Sequence, residues 1–177
     1  MSTAQAAQTT PRDPDLVKLL EVFRDELRDL VSKIYFDKTE RVVYIEVNKD
    51  KILDLAKKLL SLGFDHVKSV TAVDYPQENK LELLVHVGSY LRVIRKYTLI
   101  IKSYLDRNDP RVSSLTSVWP SAEFQEREAW EMFGVYFEGH PDLRRLLLPE
   151  DFEGKWPMRK DFRIVTRKPG EVEAPWK

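Results

Sequence analysis

The sequence predicts an α+β fold: a single, mainly antiparallel sheet with helices packed on one face, followed by an extended irregular C-terminal arm. Apolar residues recur at helical spacing in some segments and alternate with polar residues in others, which supports the fold class. Both periodicities end near residue 138, and five prolines punctuate the remainder. The expected divisions are a flexible tail at 1–12, an α+β domain at 13–138 and the arm at 139–177.

Two helices are predicted in the first third of the chain. The first begins at Asp13-Pro14, because aspartate accepts hydrogen bonds from the free N–H groups of a first turn and proline fits that turn. The second lies between Asn48, which caps it, and Gly63, which ends it. The apolar stripe of the first helix consists of Leu16, Leu19, Leu20, Phe23, Leu27, Leu30 and Val31.

Four strands are predicted from alternation. The first is Val42–Val47, in which alternate valine and isoleucine residues share one face. The other three lie at 67–73, 81–87 and 93–101, and the polar turns between them predict an antiparallel meander. The order of the strands in the sheet does not follow from this pattern.

The next segment is predicted to connect the meander to a third helix. A short strand is expected near 115–119, and the helix is expected at 121–133. Ser121 is the expected cap, because a serine oxygen can accept from the first N–H groups of a helix. Gly134 is expected to end the helix.

The composition excludes several kinds of chemistry. The chain has 177 residues and no cysteine, so it cannot hold a conventional iron–sulfur cluster, form a disulfide or use a thiol nucleophile. Its formal net charge is zero, whereas a dedicated nucleic-acid binder usually has a basic excess. No apolar run approaches the roughly 20 residues of a membrane span. A glycine-rich dinucleotide loop is also absent from the sequence.

The segment 126–147 combines carboxylates, arginines, a histidine and aromatic residues. Glu128, Glu131 and His140 raise the hypothesis of a metal site in a stand-alone hydrolase, but their spacing matches no standard ligand motif. A solvated or ion-paired helix surface is the favoured alternative, in which Arg127 and Glu131 are four residues apart and can pair. His66 and His86 are isolated in strands and are interpreted as sheet residues.

The arm combines basic and aromatic residues. Such a pattern allows single-stranded RNA binding by a stand-alone module, a solvated tail, or a protein-binding arm. Nearby acidic residues offset the positive charge, and aromatic and arginine residues are enriched at protein-binding hot spots, so a protein-binding arm is favoured. The pattern consists of Arg144, Arg145, Phe152, Lys155, Trp156, Arg159, Lys160, Phe162, Arg163, Arg167, Lys168 and Trp176.

Fixed spacings in residues 126–162 carry a resemblance to a known family. The motif positions are Glu126, Arg127, Glu128, Glu131, Met132, Phe133, His140 and Arg144, continued by Phe152-Glu153-Gly154 and Arg159-Lys160-Asp161-Phe162. With these residues the chain resembles the 30-kDa (C) subunit family of respiratory complex I. The family also has relatives in membrane-bound [NiFe] hydrogenases and ferredoxin-linked complexes. The sequence leaves open whether this chain belongs to a complex I or to one of these relatives.

The resemblance implies a cofactor-free scaffold subunit of a membrane-bound redox complex. Family members pack against a 49-kDa hydrogenase-like large subunit and stand near a 20-kDa cluster-bearing subunit, on the cytoplasmic side of the membrane. Iron–sulfur clusters, and a flavin or a nickel–iron site, are then expected in partner subunits, whose electron transfer is coupled to ion translocation. The resemblance implies no catalytic residue in this chain.

Roles for the motif residues follow as expectations. Trp130, Phe133 and Phe137 are expected as apolar anchors, which could equally serve the core of the domain itself. Charged partner contacts are expected from Arg144, Arg145, Arg159 and Lys160, and an ion-pair network that positions the helix from Glu126, Arg127, Glu128 and Glu131. The further motif positions are His140, Asp161 and Phe162.

Overall fold

The computed structural model describes residues 11–163. The helices are α1 (Pro14–Glu26), α2 (Ile52–Ser61) and α3 (Glu123–Phe133). The strands are β1 (Val31–Phe36), β2 (Val42–Val47), β3 (His66–Tyr75), β4 (Lys80–Gly88), β5 (Thr98–Asp106), β6 (Arg111–Ser113) and β7 (Tyr136–Glu138). The five-stranded sheet has the order β1-β2-β5-β4-β3, and a second sheet pairs β6 with β7.

The main sheet confirms the predicted fold class. β3, β4 and β5 form the expected antiparallel meander, and β1 is antiparallel to β2. β2 lies parallel to β5, so that Val43 is opposite Leu99 and Ile45 is opposite Ile101. This parallel pair is non-local, and alternation within a strand contains no information about it.

The first helix is shorter than its apolar stripe predicts. Asp13 caps α1 as expected and accepts a hydrogen bond from the Asp15 N–H at 3.1 Å. The helix ends at Glu26, Leu27 is buried just beyond it, and Val31 begins β1. The extension to residue 31 was therefore wrong. β1 lies at the edge of the sheet and lacks strict alternation, which is why the pattern does not reveal it.

Three further boundaries differ from the sequence predictions. The last strand of the meander begins at Thr98 instead of residue 93, and residues 91–97 form turns. Residues 115–119 also form a turn, in which the Trp119 N–H donates to the Leu115 carbonyl, and the short strand is β6. Ser121 does not cap α3, because its hydroxyl accepts from the Val67 N–H at 3.0 Å.

The core lies between the three helices and one face of the main sheet. Phe23 of α1 contacts Phe64 at a ring-centroid distance of 5.9 Å. The Trp119 indole N–H donates to the Phe64 carbonyl at 2.9 Å, so its only polar side-chain atom is paired. On the opposite face of the sheet, Tyr35 stacks on Tyr44. None of the helices in residues 11–163 is long and apolar enough to cross a bilayer.

The arm returns to α3 after β7. Gly134 ends the helix in the left-handed conformation, with φ at 78°, and Trp156 packs against it. The Met158 N–H donates to the Met132 carbonyl at 3.1 Å, and Arg159 Nε donates to the Phe133 carbonyl at 2.7 Å. The described part of the arm therefore contacts the domain. The boundary at residue 138 stays a prediction, and the remainder of the arm and tail residues 1–10 lie outside the described residues.

Gly134 provides a test of the packing between α3 and the arm. A Cβ atom at this position would lie 2.7 Å from the Trp156 ring, whereas Gly139, with φ at 82°, has nothing within 4 Å. Both Gly→Ala changes cost about 1–2 kcal/mol of backbone strain. We expect Gly134→Ala to lower the free energy of unfolding by at least ~1 kcal/mol more than Gly139→Ala, because of overpacking. Chemical denaturation measures both.

The excess cost should depend on the tryptophan ring. In a Trp156→Ala background the difference between the two glycine variants should shrink, because the clashing ring is gone. An excess that is the same in both backgrounds would contradict this packing.

Candidate functional site

Three charged side chains of α3 point into the protein interior. Glu126, Arg127 and Glu131 are all buried, and Glu131 is only 1% exposed. Their hydrogen-bond partners are main-chain groups and one serine hydroxyl, not each other. In place of the expected ion pairs, these side chains therefore form hydrogen bonds mainly with the main chain. Buried charges must be hydrogen-bonded, and the main chain supplies these bonds. Glu128, the fourth expected member, is exposed.

Glu131 holds a segment of the arm through its main chain. Residues 144–148, here called the strap, run past α3 without helical or strand structure. The Glu131 carboxylate accepts from the consecutive N–H groups of Leu146, Leu147 and Leu148, at 2.9–3.1 Å. Hydrogen bonds to a charged group contribute about 1.5–3 kcal/mol each. The carboxylate thus stabilises the strap in one conformation.

Arg127 binds the same strap from the preceding turn of the helix. Its Nε donates to the Arg144 carbonyl at 2.9 Å and its Nη2 to the Arg145 carbonyl at 2.8 Å. Residues four apart on a helix lie on one side of it, so Arg127 and Glu131 act together. Arg127 donates to carbonyl oxygens of the strap, and Glu131 accepts from its N–H groups, so both kinds of main-chain polar group are bound.

Arg127 and Glu131, together called the clamp, leave leucine side chains on the surface. Because the strap's main-chain groups are turned toward α3, Leu146 and Leu147 are exposed, Leu147 to 62%. Phe124 is also exposed, and the centroid of its ring lies 5.5 Å from the Arg127 guanidinium carbon. We call Phe124, Leu146 and Leu147 the apolar patch. Large contiguous apolar patches on a protein surface mark interaction sites, which makes these three exposed residues candidates for such a site.

Glu126 joins α3 to the turn that follows β6. Its carboxylate accepts from the Ser114 hydroxyl at 2.6 Å and from the Leu115 N–H at 2.7 Å. Burial raises the pKa of Glu126 from 4.5 to about 7, and the two hydrogen bonds only partly oppose this rise. Glu126 therefore serves the fold itself, because its hydrogen bonds attach the first turn of α3 to residues 114 and 115.

A second cluster of charges holds the end of the described arm. Asp74, at the end of β3, accepts from Arg107 Nε at 2.7 Å and from the Lys160 N–H at 2.9 Å. Arg107 also binds Asp161 at 2.8 Å. Burial acts to raise the pKa of Asp74, but the bonds from Arg107 and the main chain outweigh it and leave the pKa lowered. Burial lowers the pKa of the nearby Arg159.

The structure assigns internal contacts to most of the expected partner-binding residues. Phe133 and Phe137 are buried in the core, and half-buried Trp130 lies 6.0 Å from the Arg145 guanidinium. Arg159 lies over the Trp156 ring, and Phe162 contacts Phe152 at 6.2 Å. The Lys160 ammonium lies above Tyr75. Arg144 is exposed beside Asp142. Whether any of these residues binds a partner stays a prediction.

The three residues of the metal hypothesis do not share a site. His140 Nε2 donates to the Glu123 carbonyl at 3.0 Å, and its Nδ1 accepts from the Asp142 N–H at 3.0 Å, so both ring nitrogens are engaged. Glu131 holds the strap, and Glu128 points outward. Across residues 11–163 no three His, Asp or Glu side chains come together as a metal site requires.

Sequence reasoning missed Asp74, Arg107 and Ser114. Asp74 lies opposite Leu81 in the register of the sheet, on the buried face with Val70 and Ala72. A carboxylate at a buried position of an alternating strand is a signal that could have identified it. Arg107 and Ser114 lie in loops, whose contacts no periodicity predicts.

Comparison with known sequences decides the family. The model described as "Respiratory-chain NADH dehydrogenase, 30 Kd subunit" matches residues 45–168, well over half of the chain. The chain belongs to this 30-kDa subunit family. The resemblance carried by residues 126–162 is therefore confirmed, and both charged clusters described above lie within the matched residues of this family member.

Relatives of this family member are subunits of respiratory complexes. The C subunit of the F(420)H(2) dehydrogenase of Methanosarcina mazei is 43% identical over 117 residues, which are 66% of this chain and 72% of the relative. The C subunit of the NADH-quinone oxidoreductase of Moorella thermoacetica is 40% identical over 148 residues, 83% of this chain and 97% of the relative. The chain is thus a 30-kDa-type subunit of a membrane respiratory complex.

Solved structures share the fold. A chain of the membrane-bound sulfane sulfur reductase, an archaeal respiratory membrane complex, matches with a TM-score of 0.72 and 27% identity, covering 84% of this chain and 87% of that one. A trypsin-resistant fragment of Nqo5 matches with a TM-score of 0.60 and 23% identity, covering 73% of this chain and 99% of the fragment. The second similarity concerns the fold alone.

The strap should loosen when its carboxylate is changed. Glu131→Gln replaces one of two acceptor oxygens by an NH₂ group that faces N–H donors. We expect the free energy of unfolding to fall by about 1–3 kcal/mol and the amides of residues 146–148 to exchange faster with solvent. The matched control is Glu128→Gln on the exposed side of the same helix. Unchanged exchange at residues 146–148 in Glu131→Gln would contradict the clamp.

Glu126 predicts a pH dependence of stability. The folded protein binds the Glu126 proton more tightly than the unfolded chain does, because burial raises the pKa to about 7. Its stabilising contribution is therefore present below about pH 4.5 and is lost as the pH rises through about 7, a change of ~3 kcal/mol. Glu126→Gln keeps a neutral donor and acceptor toward Ser114 and Leu115 and does not titrate.

Denaturation at pH 5 and pH 8 measures this effect. The free energy of unfolding of the wild type, minus that of Glu126→Gln, should decrease by ~2.5 kcal/mol between the two pH values, most of the full change. Parallel pH profiles of the two proteins would rule out a buried carboxyl that titrates in this range.

Proposed function

We propose that the chain is a non-catalytic scaffold subunit of the hydrophilic arm of a complex I-type membrane redox complex, and that its apolar patch docks onto the hydrogenase-like large subunit of the 49-kDa type. One observation carries this proposal. Buried Arg127 and Glu131 hold the strap by its main chain, and this arrangement presents Leu146 and Leu147 to the outside.

The clamp favours binding because the strap is already ordered. A loop that must order when it binds loses conformational entropy, which weakens the complex. Here the charged hydrogen bonds of α3 fix residues 144–148 before any partner is present. The exposed leucine side chains and Phe124 then offer apolar area at a low entropic cost.

The rim of the patch is charged. Arg144 projects into solvent next to the leucines, with Asp142 as its only ion-pair partner in the described chain. A central apolar group with a polar rim is the usual composition of a specific protein interface. Arg144 is therefore proposed to set the orientation of docking, and the leucines are proposed to supply most of the affinity.

The redox centres are proposed to belong to partner subunits. The sequence contains no cysteine, so thiolate ligation of iron–sulfur clusters needs another chain, such as a 20-kDa-type cluster-bearing subunit. A flavin or a nickel–iron site is likewise proposed for the partners. The subunit itself is proposed to be peripheral, on the cytoplasmic side of the membrane and held there by the complex, where electron transfer is coupled to ion translocation.

A second candidate is the equivalent subunit of a membrane-bound [NiFe] hydrogenase or a ferredoxin-linked relative. The observation that keeps this candidate open is the structural similarity to a chain of the membrane-bound sulfane sulfur reductase, a respiratory membrane complex whose name does not include NADH. The relatives named above belong to an NADH-quinone oxidoreductase in one case and to an F(420)H(2) dehydrogenase in the other. The docking role of the strap is common to both candidates, whereas the electron donor differs.

The docking proposal predicts a loss of assembly when the patch is changed. Leu147→Asp places a charge at the most exposed leucine, and Arg144→Glu reverses the rim charge. We expect each change to reduce the large subunit recovered with the tagged chain from gently solubilised membranes on the order of tenfold, the usual effect of a hot-spot change. Quantitative mass spectrometry of the recovered subunits provides the measurement.

The free energy of unfolding of Leu147→Asp and of Arg144→Glu should equal that of the wild type, so that a loss of recovery reports docking and not folding. Val22→Asp, at an exposed apolar position on α1, is the control and should recover the complex in full. Normal recovery of the large subunit with both strap variants would refute docking through the strap. Co-purification of a flavin-bearing NADH module would identify the complex I type, and a nickel-binding large subunit would identify the hydrogenase type.

A further inference from the structure

The turn that joins β4 to β5 exposes apolar side chains at its tip. This turn, residues 89–97, is here called the knob. Tyr90 is 79% exposed and Val93 is 66% exposed, and together they are the most exposed large apolar side chains of residues 11–163. Leu91 is also exposed, so apolar groups dominate the tip.

Hydrogen bonds make the knob rigid. The Ser89 hydroxyl donates to the Gly63 carbonyl at 2.6 Å and accepts from the Leu91 N–H at 3.0 Å. The Arg95 N–H donates to the Leu91 carbonyl at 2.8 Å. A tip with this many internal bonds loses little conformational entropy when it binds.

Tyr90 is braced from the start of β3. Its ring stacks on the His66 ring with 4.3 Å between centroids, and its N–H donates to Asp65 Oδ2 at 3.1 Å. His66 Nδ1 lies 2.6 Å from the other oxygen of Asp65. The most exposed aromatic ring of the described chain is therefore held in a single orientation, as an anchor residue of an interface would be.

The charge of the knob is positive. Arg92 and Arg95 are exposed and have no salt bridge within the described residues, whereas Lys96 is bound by Asp13 and Asp15. An unpaired arginine next to a tyrosine provides the two residue types that most often dominate binding energy. The complementary surface has carboxylates around an apolar pocket.

The knob lies far from the Asp74 cluster. It follows Gly88 at one end of the sheet, whereas Asp74 lies at the opposite end of β3. Asp74 lies nine positions after Asp65, which along a strand corresponds to roughly 30 Å. The knob therefore offers a contact separate from the one that holds the described end of the arm.

We propose that the knob is a second docking site, which inserts Tyr90 and Val93 into an acidic-rimmed apolar pocket on another protein subunit of the same complex. The inference adds to the proposed function and rests on assembly into a complex, but not on docking through the strap. A protein surface is favoured over an anionic membrane because polybasic membrane binding uses four to eight basic residues, and the knob has two unpaired ones.

Site-specific photocrosslinking in the intact complex tests the proposal. Tyr90 is replaced by p-benzoylphenylalanine in the tagged full-length chain, the complex is assembled in the host and membranes are irradiated. We expect a crosslink to one protein subunit, at a peptide that contains carboxylates and apolar residues. Adding Arg92→Glu and Arg95→Glu should reduce the crosslink yield on the order of tenfold. The control is Arg24→Glu, at an exposed position of α1, and it should leave the crosslink yield unchanged.

A second probe separates this proposal from the strap. The same photoreactive residue at Leu147 reports contacts of the apolar patch in a parallel sample. A crosslink from position 147 but none from position 90, or a crosslink from position 90 only to lipid, would overturn the knob as a protein docking site. A crosslink to another protein from position 90 but none from position 147 would support the knob and refute the strap.

Discussion

The proposed docking surface depends on the buried carboxylate of Glu131. It accepts three consecutive main-chain N–H groups of the strap, and Arg127 binds the carbonyls just before them. Neither charge could stay buried without these bonds, and the strap has no regular secondary structure of its own. Helix and strap are therefore mutually dependent, and the exposed leucines follow from that dependence.

The same principle recurs at the end of the described part of the arm. Asp74 is buried at the end of β3 and binds Arg107 together with the Lys160 N–H, so an irregular segment is again attached to the domain through a buried carboxylate. Irregular chain cannot satisfy its main-chain groups by itself, whereas a buried charge requires such groups as partners. The buried carboxylate and the irregular main chain therefore supply each other's hydrogen-bond partners, and no helix or strand is needed in the arm.

Membership of the 30-kDa family gives this arrangement a functional context. Three of the residues that carry the resemblance fix the arm: Arg127 and Glu131 hold the strap, and Arg159 binds the end of α3. The proposed scaffold role requires a rigid surface more than it requires reactive groups. The names of the relatives give different electron donors, which is compatible with that proposal.

The sequence by itself determined the fold class, the start of α1 at Asp13, the end of α3 at Gly134 and the family, because caps, turns and periodicity are local and the motif spacing is specific. Only the tertiary structure decided that Glu131 and Arg127 point inward. A charged residue on a helix is normally solvated, and its burial depends on a segment 15 to 18 residues further along the chain. The parallel pairing of β2 with β5 was likewise undetermined, because non-local pairing leaves no trace in the alternation of a single strand.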